Sequence, residues 1–125
     1  MANLLLEVMR DRMMVDRGLV ENVYLPWLMS VIDTLSGKPV TSIAIDSDVD
    51  DVFYDKTSQQ IYISCGGRSI DIIRQTNANS YTANRNVSSY SGARTSLFLA
   101  EQNLLIIASP SSLKRNASLL IYNTK

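Results

Sequence analysis

Apolar and polar residues alternate along most of the chain after residue 27, and polar turns separate the alternating runs. A period of two is typical of strands that bury one face. The pattern predicts nine short strands, at residues 28–33, 40–45, 52–54, 61–65, 70–74, 81–87, 95–99, 104–108 and 118–123. The body of the protein is therefore expected to be all-β.

The beginning of the chain has a different pattern. Leu5, Val8 and Met13 fall on one face of a helix drawn over residues 3 to about 20, with Asn3 as its N-cap and Gly18 at its end. The sequence thus predicts two parts. Residues 1–27 form a helical or irregular segment, and residues 28–125 form the β domain.

The strands repeat. The hairpin around Phe53 returns around Phe98, a step of 45 residues, and a further strand recurs around Val31, Ile72 and Ile121, at steps of 41 and 49. Short strands repeated at this spacing are typical of β-propeller blades. The repeats predict a partial β-propeller, with one complete four-stranded blade, parts of two neighbouring blades and the short N-terminal helix.

Four segments of this region form a recognisable set. They are the hairpin VIDTLSGK at 31–38 and the runs DSDVDDVFYD at 46–55, IYISCG at 61–66 and GARTSLF at 92–98. Together they resemble the last blades of the YVTN-repeat, lactonase-like β-propeller family, over residues 28–125. The resemblance implies a propeller fold and a bacterial family whose members are commonly exported. Residues 1–27 depart from the family pattern, which suggests a truncated piece of a larger propeller.

The composition of the chain limits the partners and the reactions that can be expected of it. Twelve basic and twelve acidic residues give no net charge, which disfavours nucleic acid and membrane surfaces as partners. The chain has no histidine and a single cysteine, Cys65, so histidine-dependent triads, imidazole metal ligands and an internal disulfide are excluded. The first residues lack the features of an export signal, which predicts a cytoplasmic location for the chain as written.

The sharpest chemical feature is the acidic run Asp46, Asp48, Asp50 and Asp51. In a propeller it lies where one blade leads into the next, near a mouth of the central channel, and Arg94 and Thr95 stand at the following junction. The candidate ligand-binding residues are Asp48, Asp50, Asp51, Arg94 and Thr95. No cofactor is expected for the interaction module, although these carboxylates offer oxygens to calcium. The alternatives are turn-forming aspartates and an ion pair of Arg94 with Asp48 or Asp50 that links blades.

Two functions follow from these observations. The first is a non-enzymatic interaction module that binds a partner protein or a small molecule, or associates with itself through open sheet edges, because an unclosed arc leaves such edges exposed. The second is a fragment of a lactonase-like or quinoprotein-type propeller enzyme with an acidic site at the channel mouth. A third outcome, a relic with no function of its own, predicts a chain that does not melt cooperatively.

Overall fold

The computed structural model describes residues 4–10 and 27–125, and their regular structure is almost entirely β. Ten strands form three antiparallel sheets, and the one helical element among these residues is the 3₁₀ turn Ala100–Gln102. The first sheet contains β1 (Leu4–Arg10), β2 (Trp27–Asp33) and β3 (Pro39–Ile45). The second contains β4 (Val49–Asp55), β5 (Gln60–Cys65), β6 (Gly67–Asn77) and β7 (Ser80–Ser91). The third contains β8 (Ser96–Leu99), β9 (Leu104–Ser109) and β10 (Ser118–Asn123).

Within each sheet the strands pair in chain order, so each sheet is a meander of hairpins. Each of the nine predicted strands overlaps one of β2 to β10, which confirms the all-β prediction for this region. The observed strands extend past the predicted ones mainly at polar ends. Pairing lengthens β7 to twelve residues, for example, although its sequence is rich in serine and asparagine.

The predicted N-terminal helix is wrong where it can be checked. Residues 4–10 form strand β1, which pairs antiparallel with β2 from Leu4 opposite Asp33 to Arg10 opposite Trp27. A short apolar run fits a helix or a strand equally well. Here the strand is favoured, because without β1 one side of β2 would have unpaired backbone amide and carbonyl groups. The remainder of the predicted helix, residue 3 and residues 11–20, lies outside the described residues. Among the described residues, no helix has the length and apolar content needed to cross a membrane.

The second sheet lies between the other two and buries both of its faces. One face carries Ile61, Ile63 and Cys65, which pack with Met29 and Val31 of the first sheet. The opposite face carries Tyr62, Ile70 and Ile72, which pack with Leu105 and Ile107 of the third sheet. These residues are all at most 4% exposed, so two separate cores hold the three sheets together.

The predicted 45-residue step of the hairpin is wrong by one residue. Asp55 pairs with Gln60, and Leu99 pairs with Leu104, each pair closing a four-residue connection. Matching these connections places Leu97, not Phe98, at the position of Phe53. A shift of one residue along a strand reverses the face of every side chain.

Phe53 and Phe98 consequently point toward each other from neighbouring sheets. Their ring centroids lie 6.2 Å apart, and Phe98 also contacts Tyr62 at 5.2 Å. The two phenylalanines are therefore partners across one core and not copies of each other.

The repeat of the third strand agrees with the structure. Val31 of β2 and Ile72 of β6 each pack toward the sheet that follows in the chain. With the hairpin step corrected to 44, Leu105 takes the place of Ile61. Leu105 pairs with Tyr122, and Ile61 pairs with Ile73. Tyr122 and Ile73 are 49 residues apart, which is the predicted step of the last strand.

Candidate functional site

The backbone between β3 and β4 positions the first half of the predicted site. The amide of Gly66 donates a hydrogen bond to the carbonyl oxygen of Asp48 at 2.8 Å, and the amide of Gly67 donates to that of Ser47 at 3.1 Å. Asp48 has a φ of 61°, a left-handed conformation that aspartate tolerates better than most residues. A Cβ atom at Gly66 would collide with the side chain of Asp48, so an alanine there would displace the Asp48 carboxylate.

The structure brings the five predicted site residues to one place, and four of them form two pairs. Arg94 Nη1 lies 2.9 Å from Asp48 Oδ2, and the Thr95 hydroxyl donates to Asp50 Oδ2 at 2.8 Å. Next to them, the amide of Ser96 donates to Asp51 Oδ2 at 2.6 Å. We call Asp48, Asp50, Asp51, Arg94, Thr95 and Ser96 the rim cluster. It joins the start of β4 in the second sheet to the start of β8 in the third.

The predicted alternative of an ion pair that links sheets is confirmed for Arg94 and Asp48. Both side chains are about half exposed, at 49% and 50%. Exposed pairs of this kind contribute only about 0–1 kcal/mol, because water screens them. The Asp51–Ser96 contact is better protected from solvent and engages a backbone amide, so it is the stronger link of the cluster.

Sequence reasoning missed Ser64, a buried residue of β5 that contacts two residues of the rim cluster. Its hydroxyl lies 2.5 Å from the carbonyl oxygen of Arg94 and 2.8 Å from the hydroxyl of Ser96. Ser64 is 1% exposed. The available signal was a serine at a core-facing position of an otherwise apolar strand, since a buried polar group needs a partner.

Asp46 does not join the rim cluster, although the sequence grouped it with the other aspartates. Its carboxylate accepts hydrogen bonds from the Ser47 amide and the Ser69 hydroxyl, both at 2.7 Å. Its own amide donates to Asp71 Oδ2 at 2.7 Å. These contacts fit the turn-forming role of aspartate, the other alternative that the sequence left open.

The rim carboxylates are directed at Arg94, Thr95 and Ser96 and not at a common point. No group of three or more histidine, cysteine, aspartate or glutamate residues within 4–10 and 27–125 is arranged to hold a metal ion. The geometry favours a structural junction over a calcium site. Binding of a ligand at the rim stays a prediction.

Cys65 is buried beside this region and is chemically quiet. Burial, together with the smaller effect of the nearby carboxylates of Asp71 and Asp46, raises the pKa of its thiol to about 12. The thiolate is the reactive form of cysteine, so this side chain is a core filler at neutral pH.

A cleft of about 360 Å³ is lined by residues of β3, β6 and β7 and by Asp46, which follows β3. Its acidic residues are Asp46 and Asp71, and the Asp71 carboxylate accepts hydrogen bonds from the Asp46 amide and from the Asn86 side chain. The carboxylate is thus engaged in joining β3, β6 and β7.

The third sheet presents a second feature, an exposed apolar face. One face packs on the second sheet, and the register places the opposite face on eight positions. We call these positions the open face: Leu97, Leu99, Leu104, Ile106, Ala108, Leu119, Ile121 and Asn123. Seven are apolar and none is charged. Leu97, Leu119 and Ile121 are 53%, 66% and 63% exposed.

Comparisons of the chain with protein-family models, with curated proteins and with solved structures found no match. The class of protein that the structure itself defines is therefore a small all-β protein of three meander sheets.

Proposed function

We propose that the chain is a non-enzymatic interaction module derived from a β-propeller, and that it binds through the open face of the third sheet. The observation that carries the proposal is the equivalence of two faces. With the hairpin step corrected to 44 and the last-strand step of 49, Leu97, Ile106, Leu119 and Ile121 occupy the positions of Phe53, Tyr62, Ile70 and Ile72.

The second-sheet residues of this set lie in the core between the second and third sheets. Their third-sheet counterparts include Leu119 and Ile121, both more than half exposed. Contiguous exposed apolar residues on a folded protein mark sites of interaction. On the second sheet these positions are therefore covered by the third sheet. On the third sheet the equivalent positions are exposed and available to a partner.

The radial arrangement of a propeller accounts for this pattern. Each sheet would pack one face on the preceding sheet and the other on the following sheet, as the second sheet does. Val31, Ile72 and Ile121 support this view, because the first two point toward the following sheet and the third is exposed. The resemblance to the lactonase-like propeller family supports the same architecture.

The proposal is tested by capture from an extract of cells that express the chain. Immobilised wild-type protein is compared with a variant carrying Leu119→Lys and Ile121→Lys, and with Leu113→Lys as a matched control on an exposed leucine outside the open face. Proteins retained by wild type and by the control, but lost with the double variant, support the proposal. Equal retention by all three would overturn it.

A second function, an enzyme fragment with an acidic site, is favoured by the gathering of three carboxylates and one guanidinium at one exposed rim. Such a site would need a bound divalent ion or a redox cofactor. Calorimetric titration with calcium tests it. Heat that disappears with Asp50→Ala and with Asp51→Ala would support the enzyme, and no heat at millimolar calcium would contradict it.

A further inference from the structure

We propose that the free edge of β10 binds an extended segment of a partner protein, which adds to the third sheet as a fourth strand. The contact is made by backbone groups at the edge of the sheet and not by the side chains of the open face. The inference therefore goes beyond the proposed function, and it is tested separately.

The backbone of β10 has one row of amides and carbonyls that faces no strand. On its other side, β10 pairs with β9 along its whole length. The amide of Thr124, just after β10, donates to the carbonyl oxygen of Asn103, just before β9. Because the amides of a strand point alternately to its two sides, those of Leu119, Ile121 and Asn123 point away from β9. Among the described residues, β10 has no second neighbouring strand.

Every other sheet edge that the structure describes has a feature that discourages the addition of a strand. β1 and β4 carry charged residues, including Glu7 and Asp50, and β3 begins with Pro39. The register of β7 against β6 is irregular at three points. β8 has only four residues, and the amide of Ser96 in it is already bound to Asp51. Charges, proline, bulges and short length are the means by which proteins protect sheet edges.

β10 has none of these features. Its sequence, SLLIYN, contains no charged residue and no proline, and its pairing with β9 has no register shift. An exposed edge of this kind is a template for another strand. A regular row of outward amides and carbonyls is matched by the backbone of an extended segment, and this match identifies the kind of partner.

The second sheet shows how the corresponding edge is covered. Leu119 and Ile121 occupy the positions of Ile70 and Ile72 in β6, whose outer edge pairs antiparallel with β7. Val87 of β7 lies opposite Ile70 and packs against the core between the second and third sheets. Among the described residues, the third sheet has no counterpart of β7. The expected partner segment is therefore antiparallel to β10, with an apolar residue opposite Leu119.

The β10 edge of a second copy fits this position less well. Tyr122 donates a hydrogen bond to the carbonyl oxygen of Ser88 at 3.2 Å, so β7, the outermost strand of the second sheet, lies against β10. Two β10 strands paired antiparallel are related by a twofold axis perpendicular to the joined sheet, which keeps both second sheets on one side. Their β7 strands would then collide near the axis. A partner that contributes one extended segment avoids this collision.

Hydrogen exchange of the full chain, followed by NMR, tests whether the edge is free. The amides of Leu120 and Tyr122 face β9 and should exchange about a hundredfold more slowly than those of Leu119 and Ile121. Slow exchange of all four amides in the monomer would mean that the edge is already covered. That result would overturn the proposal.

The probe for binding is a library of random twelve-residue peptides, displayed on phage and selected on the immobilised full chain. Enriched peptides are synthesised and titrated into the protein. On binding, the amides of Leu119 and Ile121 should become protected from exchange, because they donate to the added strand. Enrichment no greater than on an unrelated protein would overturn the proposal, as would binding that leaves both amides unprotected.

The variants Ile121→Pro and Ile121→Ala separate the backbone contact from the side chain. Both remove the exposed isoleucine, but only proline removes the outward amide, and the hydrogen bonds to β9 do not use that amide. The selected peptides should bind Ile121→Pro at least about tenfold more weakly than Ile121→Ala, since a carbonyl of the peptide loses its donor. Equal affinities would overturn strand addition.

Methylation of the peptide amides repeats this test on the unaltered protein, in case Ile121→Pro melts below the wild type. Only alternate amides of an added strand face β10. Methylation of one alternate set should therefore abolish binding, and methylation of the other set should not. Equal effects of the two sets would overturn the proposal.

Discussion

Asp51→Ala removes the strongest link of the rim cluster and tests whether the cluster is a structural junction. The carboxylate of Asp51 accepts a 2.6 Å hydrogen bond from the half-buried amide of Ser96. A hydrogen bond to a charged group contributes about 1.5–3 kcal/mol, and loss of the acceptor leaves the amide without its partner. We expect Asp51→Ala to lower the free energy of unfolding by about 2 kcal/mol, which raises the unfolded fraction roughly thirtyfold.

The matched control is Asp50→Ala, in the neighbouring position. Asp50 contacts the Thr95 hydroxyl, and both groups are exposed, so water replaces the lost contact. We expect a change within about 0.5 kcal/mol. Asp51→Asn keeps an oxygen acceptor and loses the charge, so its effect should lie between those of the two alanine variants.

The assay is unfolding in urea, followed by circular dichroism and by fluorescence of Trp27, the one tryptophan of the chain. Coincidence of the two signals checks that unfolding is two-state. With a slope of about 2 kcal/mol per molar urea, the midpoint of Asp51→Ala should fall by about 1 M. Equal midpoints for Asp51→Ala and Asp50→Ala would refute the assignment of Asp51 as the link between the second and third sheets.

Three further predictions concern the core and the tight junction beside it. Because the pKa of Cys65 is raised from 9.0 to about 12, the folded state holds a proton that the unfolded state loses, and stability should fall as pH rises through this interval. Urea unfolding at pH 8 to 10.5 should show the wild type losing up to about 1.4 kcal/mol per pH unit relative to Cys65→Ala, and parallel curves would contradict this. Gly66→Ala should destabilise the fold by up to about 1 kcal/mol, because its Cβ displaces the exposed Asp48 carboxylate from Arg94, and the penalty should largely vanish in an Asp48→Gly background; an undiminished penalty there would locate the strain elsewhere. Ile107→Ala, at a fully buried site, should cost about 2–5 kcal/mol in a thermal melt, whereas Leu113→Ala at an exposed site should cost little, and similar losses would contradict the observed core.

The local alternation of residues was enough to predict most strands. Residues 61–65 and 118–123 were predicted from apolar spacing and turn residues, and β5 and β10 coincide with them almost completely. Charge complementarity along the chain was also informative, since the Arg94–Asp48 pair was among the alternatives drawn from the sequence. The strand signal is carried by short-range patterns that any fold containing these strands must respect, whereas Arg94 and Asp48 are 46 residues apart and their pairing was inferred from the repeat.

The sequence by itself determined that this protein is built from short antiparallel hairpins with an acidic junction between them. Only the tertiary structure decided that residues 4–10 form a strand, because their state depends on the unpaired backbone of β2. It also decided that Phe53 and Phe98 face each other, since a repeat read from side chains alone is uncertain by one residue and one residue reverses the face. The open face of the third sheet has the same origin, because alternation marks two faces of a sheet while only packing determines which of them is covered.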